Sequence, residues 1–212
     1  MVRAVPDGWS DPERVTEYLS REIPHRDIAE AMLLEALPER IERFIDLGSG
    51  DGRLLALVRD HHPGAHGVGV DLSQPMLDRA AERFADDPLV EMRKQDLADS
   101  LTGQMSVDAV VSALAIHHLR DERKRALFCE IHSLLVPGGV FINLDLVASA
   151  SPESHERFRH AIGRPQDDPA DHLAGLCDQL DWLRQAGFQG VDCHFKWLEL
   201  ALMVARRGEQ QL

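Results

Sequence analysis

Three glycines at alternate positions, Gly48, Gly50 and Gly52, follow the apolar run Phe44-Ile45-Asp46-Leu47 and precede Arg53-Leu54-Leu55. The pattern reads as a short buried strand, a glycine turn and the start of a helix. Glycine reaches backbone angles that other residues avoid, and it lets a ligand approach the main chain closely. In an open α/β sheet such a turn lies at the carboxyl ends of the strands, where ligands bind. A dinucleotide turn is written G-x-G-x-x-G and sets a pyrophosphate on the helix N-terminus. Here Arg53 stands at the third glycine position and Asp51 sits inside the turn. A carboxylate there repels a pyrophosphate but suits a ligand with a cationic part. A second apolar run, Gly67-Val68-Gly69-Val70-Asp71, ends in an acid that can bind both ribose hydroxyls. Together these residues ask for a nucleoside with positive charge and no phosphates.

That description fits S-adenosylmethionine. Asp46-Leu47-Gly48-Ser49-Gly50-Asp51-Gly52, with Asp71-Leu72-Ser73-Gln74-Pro75-Met76-Leu77 after it, resembles the class I S-adenosylmethionine-dependent methyltransferase family. The likeness runs from about Ile41 to about Arg207 and includes Asp96 after the third strand and the turn Val136-Pro137-Gly138-Gly139. It implies a Rossmann-like, doubly wound α/β fold with a seven-stranded sheet whose last strand is antiparallel. It also implies a donor site. Asp46 and the Gly48 and Gly50 backbone would hold the methionine end, and Asp71 the ribose hydroxyls. Leu72 and Met76 would pack near adenine or ribose, and Asp96 and Leu97 would meet the adenine. Ser112 would supply a main-chain carbonyl near the amino group. Met76 reads equally well as plain core, Asp96 as a turn cap, and Asp99 competes with Asp96 for the same part.

The other stretch with side-chain chemistry is Ala115-Ile116-His117-His118-Leu119. It follows the apolar run Val107–Leu114 and leaves the sheet beside the glycine turn, at the sulfonium end of the donor. Histidine is the usual base near neutral pH, so His117 and His118 are candidates for that role, His117 the preferred one. The competing reading makes one of them a helix cap or a partner for a main-chain carbonyl. Methyl transfer from a sulfonium is an in-line displacement in which the protein mainly positions its reactants and excludes water. A nitrogen or carbon acceptor needs little further help, whereas a hydroxyl acceptor needs a base.

The elements that must position these groups are legible in outline. Residues 1–40 read as an N-terminal segment of two helices, about 10–20 and 26–37, divided by Pro24 and serving as a lid over the substrate, with Tyr18 its residue most worth testing. Residues 41–212 read as the methyltransferase domain, one globular unit overall. Ser73 and Asp121 are expected to cap helices. Asn143 and Asp145, at the end of the run Val140–Leu144, face the site region. A short helix over Glu153–Ile162 carries Arg157 and Arg159, which with Arg164 could hold an anionic substrate or form a solvated face. A final helix is expected over Pro169–Ala186, then two strands, Val191–Trp197 and Leu200–Arg206.

Bulk properties narrow the partners. The 212 residues carry a formal net charge of −13, which argues against a dominant nucleic-acid surface or binding to anionic membranes. Three widely spaced cysteines, Cys129, Cys177 and Cys193, suggest a reducing compartment. With no signal peptide in Met1–Ser10 and no apolar run near membrane-spanning length, the expected location is the cytoplasm. His61, His62 and His66 lack acids or cysteines at ligand spacing, so no metal is assigned. The expected partner is a small-molecule acceptor, with a homodimer left open. Alternatives within the same fold are a tRNA-pathway enzyme forming carboxy-S-adenosylmethionine and a non-catalytic binding module. A dehydrogenase is disfavoured, because the third glycine is absent and Tyr18 has no Tyr-x-x-x-Lys arrangement.

Overall fold

The computed structural model describes residue 9 and residues 11–20, 22–101 and 106–209. Asp11, just before the first helix, accepts the Glu13 amide at 2.9 Å through Oδ1. Helices α1 (Pro12–Leu19) and α2 (Arg26–Ala36) lead into β1 (Arg43–Leu47) and α3 (Arg53–His61). Next come β2 (His66–Asp71), α4 (Gln74–Arg83), β3 (Val90–Lys94) and β4 (Val107–Ala113). A 3₁₀ turn, Ile116–His118, precedes α5 (Asp121–Leu134) and β5 (Leu135–Leu146). The chain closes with α6 (Pro152–Ala161), α7 (Leu176–Gln185), β6 (Gln189–Trp197) and β7 (Leu200–Arg206).

The seven strands form one sheet in the order β3-β2-β1-β4-β5-β7-β6. The pairs among β1 to β5 are parallel, and β7 runs antiparallel to both β5 and β6. This is the doubly wound sheet with a reversed last strand that the sequence implies. Strands buried on both faces need apolar residues at consecutive positions, and alternate side chains then serve opposite faces. Ile45, Val110, Phe141 and Met203 join α5 and α7 in one core, which contains Leu127, Phe128, Ile131 and Leu183. Phe44, Val111, Ile142 and Leu202 join α2 and α3 in the other, with Leu33, Leu54 and Val58. Each such fully buried side chain contributes roughly 1.5–3 kcal/mol by leaving water.

Chain order reverses at β1, between β2 on one side and β4 on the other. Loops after β1 and β4 therefore diverge there and leave a crevice. Register fixes its depth, since Asp46 and Leu47 lie beside Val111 and Ser112 of β4.

Four local expectations are corrected. Asp121 is the first helical residue of α5, and the cap position, Arg120, makes no side-chain capping bond. The Pro137-Gly138-Gly139 turn is absorbed into β5, which starts at Leu135; Gly138 takes φ 82° and donates to the Arg207 carbonyl at 2.9 Å. Pairing with β4 jumps from Val107 opposite Leu135 to Ala109 opposite Val140, so the turn-forming sequence is held in β5 as a bulge. The expected Pro169–Ala186 helix shortens to α7, because residues 163–175 run irregularly over the site. Asp51 does not wait for a cation from a ligand, since Arg83 Nη2 holds it at 2.7 Å.

Candidate active site

The turn after β1 is built from left-handed glycines, with φ of 70° at Gly48, 53° at Gly50 and 80° at Gly52. They serve different ends. A Cβ on Gly48 would stand 2.1 Å from Ala115 Cβ, so this glycine lets the segment carrying the histidines close on the turn. A Cβ on Gly52 would meet Phe84 at 2.6 Å. On Gly50 the nearest atom would be Met76 Sδ at 3.8 Å, so Gly50 is kept bare for reasons other than protein packing.

Asp71 fastens the turn. Its Oδ2 accepts the Gly50 amide and its Oδ1 the Ser73 amide, both at 2.8 Å. Ser73 caps α4 as expected, accepting the Met76 amide at 3.4 Å, and its hydroxyl donates to the Trp9 carbonyl at 2.6 Å. Met76 and Leu97 are buried against the turn; Leu97 Cδ1 comes within 3.9 Å of where a Gly48 Cβ would lie. Leu72, half-buried, follows β2 directly. Asp96 is exposed and accepts the Ala98 amide at 2.8 Å, so it caps a turn with one oxygen. Asp99 is exposed as well. Ser112 is buried, and its hydroxyl donates to the Leu47 carbonyl at 2.7 Å.

Asp46 is the outlier. It is 1% exposed, and neither carboxylate oxygen has a hydrogen-bond partner. Leaving a buried acceptor unmade costs about 1–3 kcal/mol, more for a charge. Burial, then the neighbouring Asp71 and Asp51, push its pKa to about 8; the Leu55 amide, which falls short of a hydrogen bond, and Arg26 offset part of this. The residue borders an open cleft of about 920 Å³, together with Gly48, Gly50, Arg26, Arg53 and Ala113. Arg53 is engaged by the buried Glu30 at 2.6 Å, and Arg26 meets the same carboxylate at 2.7 Å. Burial would raise the Glu30 pKa, but the two guanidinium groups hold it below the usual range.

Beside the cleft lies a pocket of about 50 Å³, bordered by Leu114, His117, His118, Phe158 and Asp171. Tyr18, Glu22, Ile23 and Arg26 border both cavities. Leu114 takes φ 56°, a left-handed angle rare for a leucine, where the chain turns out of β4 toward the histidines. His117 is buried, with Nδ1 2.5 Å from Asp145 Oδ1 and Nε2 3.5 Å from Asp171 Oδ1. His118 Nδ1 is 3.3 Å from the same Asp171 oxygen and 3.3 Å from the Ala170 carbonyl. Burial alone would lower the His117 pKa, but Asp145 first and then Asp171 raise it above the ordinary value. Trp9 closes the pocket, its ring 5.1 Å from Tyr18 and 5.5 Å from His118.

A family model described as a methyltransferase domain matches residues 44–139. A carboxy-S-adenosyl-L-methionine synthase of Aeromonas hydrophila is 31% identical over 189 residues, 79% of this chain and 75% of that one. The chain belongs to the class I S-adenosylmethionine-dependent methyltransferases. An uncharacterized methyltransferase of Mycobacterium tuberculosis is 34% identical over 134 residues, a match spanning 62% of each protein. Among solved structures, an S-adenosylmethionine-dependent methyltransferase from Mesorhizobium loti aligns at a TM-score of 0.64 and 25% identity, covering 84% of this chain and 98% of that one.

The residues present fit the methyltransferase family's donor. An unpartnered buried carboxylate matches an ammonium, a glycine turn without side chains leaves room for the ligand at the main chain, and an acid at the end of β2 matches ribose hydroxyls. Of the residues named from sequence, Asp46, Gly48 and Gly50 border the cleft, and Asp71, Met76 and Leu97 gather at the turn. Sequence reasoning missed Arg26, Glu22, Trp9 and Asp171. Arg26, like Arg53, borders the cleft. Of the three arginines offered as anion ligands, Arg157 is exposed, Arg159 is buried 3.4 Å from Asp167, and Arg164 is held by Asp168 at 3.1 Å.

Proposed function

We propose that the protein transfers the methyl group of S-adenosylmethionine to a small-molecule acceptor held beside His117, His118 and Asp171. The observation that carries this reading is Asp46, a buried carboxylate without a partner at the edge of the large cleft. The donor's ammonium supplies the missing charge, and its carboxylate lies toward Arg26, beside the Gly48 and Gly50 backbone. Asp71, Leu72, Met76, Asp96 and Leu97 take the nucleoside end, and the Ser112 carbonyl lies near the ammonium. The sulfonium then points from Ala113 toward the small pocket, since Tyr18, Glu22, Ile23 and Arg26 border both cavities. Displacement needs the acceptor atom in line with the breaking S–C bond and water kept out. For a hydroxyl acceptor, the cluster of two imidazoles and two carboxylates activates the oxygen.

Residues 1–40 act as a lid in this account. A pocket of about 50 Å³ is far smaller than the roughly 300–1,000 Å³ of ordinary ligand sites, so entry requires the segment bearing Trp9 and Tyr18 to swing away. The test is transfer of labelled methyl from S-adenosylmethionine to a panel of hydroxyl and amine acceptors. Labelled product supports the reading. Tight donor binding with no product from any acceptor points instead to a binding module.

Arg26 favours a second reading. A guanidinium between the two cavities suits an anionic co-substrate, and a relative named as a carboxy-S-adenosyl-L-methionine synthase shares the sequence. In that case the nucleoside recovered after turnover gains a carboxyl group, which mass spectrometry detects.

A cytoplasmic setting accords with three cysteines that are all free. No helix among the described residues is long and apolar enough to cross a membrane. Ile28 is the one large apolar side chain exposed among those residues, so a homodimer is not part of this reading.

A further inference from the structure

We propose that His117, His118 and Asp171 form a mononuclear site for a divalent first-row transition metal, with Zn²⁺ as the reference ion, whose open position faces the small pocket. The ligand atoms of the three residues all lie within 4.8 Å of one another. Asp171 Oδ1 is 3.5 Å from His117 Nε2 and 3.3 Å from His118 Nδ1. Donors bonded to Zn²⁺ at about 2.0–2.1 Å in tetrahedral geometry stand about 3.3 Å apart, so both measured edges are those of a site ready to close on an ion. Two imidazoles and a carboxylate select the borderline metals over Mg²⁺ or Ca²⁺.

Two further observations point to an ion. A metal-binding imidazole commonly donates its second ring N–H to a carboxylate, which fixes the tautomer. His117 does this, its Nδ1 lying 2.5 Å from the buried Asp145, which leaves the Nε2 lone pair directed at Asp171. The charges agree as well. Asp145 and Asp171 bring two negative charges into a largely buried place. The nearby cations are engaged elsewhere: Lys124 with Asp121 and the His172 carbonyl, and Arg14 and Arg164 with Asp168. A single divalent ion balances both carboxylates. His118 then keeps its proton on Nε2, and its Nδ1 turns from the Ala170 carbonyl to the ion.

With three protein ligands, the fourth position is open to the pocket that His117, His118 and Asp171 border. An acceptor oxygen bound there loses its proton to water and attacks the sulfonium methyl as the S–C bond breaks. This last step rests on the methyl-transfer reading; metal binding itself does not.

The test uses the full chain without a histidine tag, stripped with chelator. Zn²⁺ titration and elemental analysis after gel filtration should give one ion per chain. Asp171→Asn and His118→Ala should each weaken Zn²⁺ binding at least tenfold while leaving S-adenosylhomocysteine affinity within twofold. His155→Ala, which removes an imidazole held by Glu199 and Asp167, should leave Zn²⁺ binding unchanged. The Co²⁺-loaded chain should show ligand-field bands that shift on adding azide at the open position. Substoichiometric Zn²⁺, full affinity in both Asp171→Asn and His118→Ala, or Co²⁺ bands indifferent to azide would overturn the proposal. Retained S-adenosylhomocysteine binding in that case would leave the donor site standing, whereas its loss in the wild type would defeat the functional reading instead.

Discussion

The large cleft and the small pocket adjoin, yet they are made differently. The cleft is floored by the turn after β1, with Asp46 and the left-handed Gly48 and Gly50, and is walled by Arg26 and Asp27 of the N-terminal segment and by Arg79 and Arg83 of α4. The pocket is formed by side chains from remote segments, among them Trp9, Tyr18, His117, Phe158 and Asp171. A glycine turn suits a fixed ligand, since its left-handed angles and bare main chain tolerate no side chain. A pocket of side chains from loops and an irregular stretch can be altered residue by residue without disturbing the sheet. The cleft therefore suits the common donor and the pocket the particular acceptor.

Gly50→Val should break the cleft side most severely. A side chain there would be nearly free of protein contact but would protrude where the ligand lies, at a φ of 53° that strains valine. S-adenosylhomocysteine binding should vanish by calorimetry while the chain stays folded by circular dichroism. Retained binding would place the ligand elsewhere. His117→Ala attacks the pocket side and should slow turnover of a hydroxyl acceptor about a hundredfold, with donor affinity intact. Equal losses in turnover and donor affinity would erase the division between the two regions. Asp71→Ala should weaken S-adenosylhomocysteine by about 1–3 kcal/mol through lost charge-assisted bonds. The same change frees the Gly50 amide, so a loss of only the smallest size would mean that Asp71 holds the turn rather than the ribose.

The pH effect at Asp46 is the most specific. Asp46 ionises at about 8 when folded and near 3.8 when unfolded. Between these values the folded chain holds the extra proton, so stability falls as pH rises from about 4 to about 8 and levels off above. Asp46→Asn should flatten that slope in thermal melts. Binding a cationic ammonium should expel the proton, so at pH 7 calorimetry in buffers of different ionisation enthalpy should detect proton release from the wild type and none from Asp46→Asn.

The same contrast explains what the sequence disclosed. The strand, turn, helix and acid of the cleft are contiguous, and each residue type has a local reason, so these elements and the candidate donor residues could be named in advance. His117 and His118 were visible because they leave the central strand directly. Asp171 was not, because it lies in the irregular stretch where a longer helix was expected, and only tertiary packing brings its Oδ1 within 3.3 Å of His118. Trp9 and Arg26 were hidden for the same reason, since nothing in an amphipathic helix pattern says which cavity it will cover. Asp51 misled in the opposite sense. Its place in the turn suggested a ligand contact, but Arg83 from α4 holds it, and the acid left without a partner is Asp46 inside the strand.

The central claim is that a sulfonium nucleoside occupies the cleft after β1. Titration of the wild-type chain with S-adenosylhomocysteine and, separately, with NAD tests it directly. The account predicts one saturable site for S-adenosylhomocysteine and no heat of binding for NAD. An inert response to S-adenosylhomocysteine, or saturation by NAD, would contradict it.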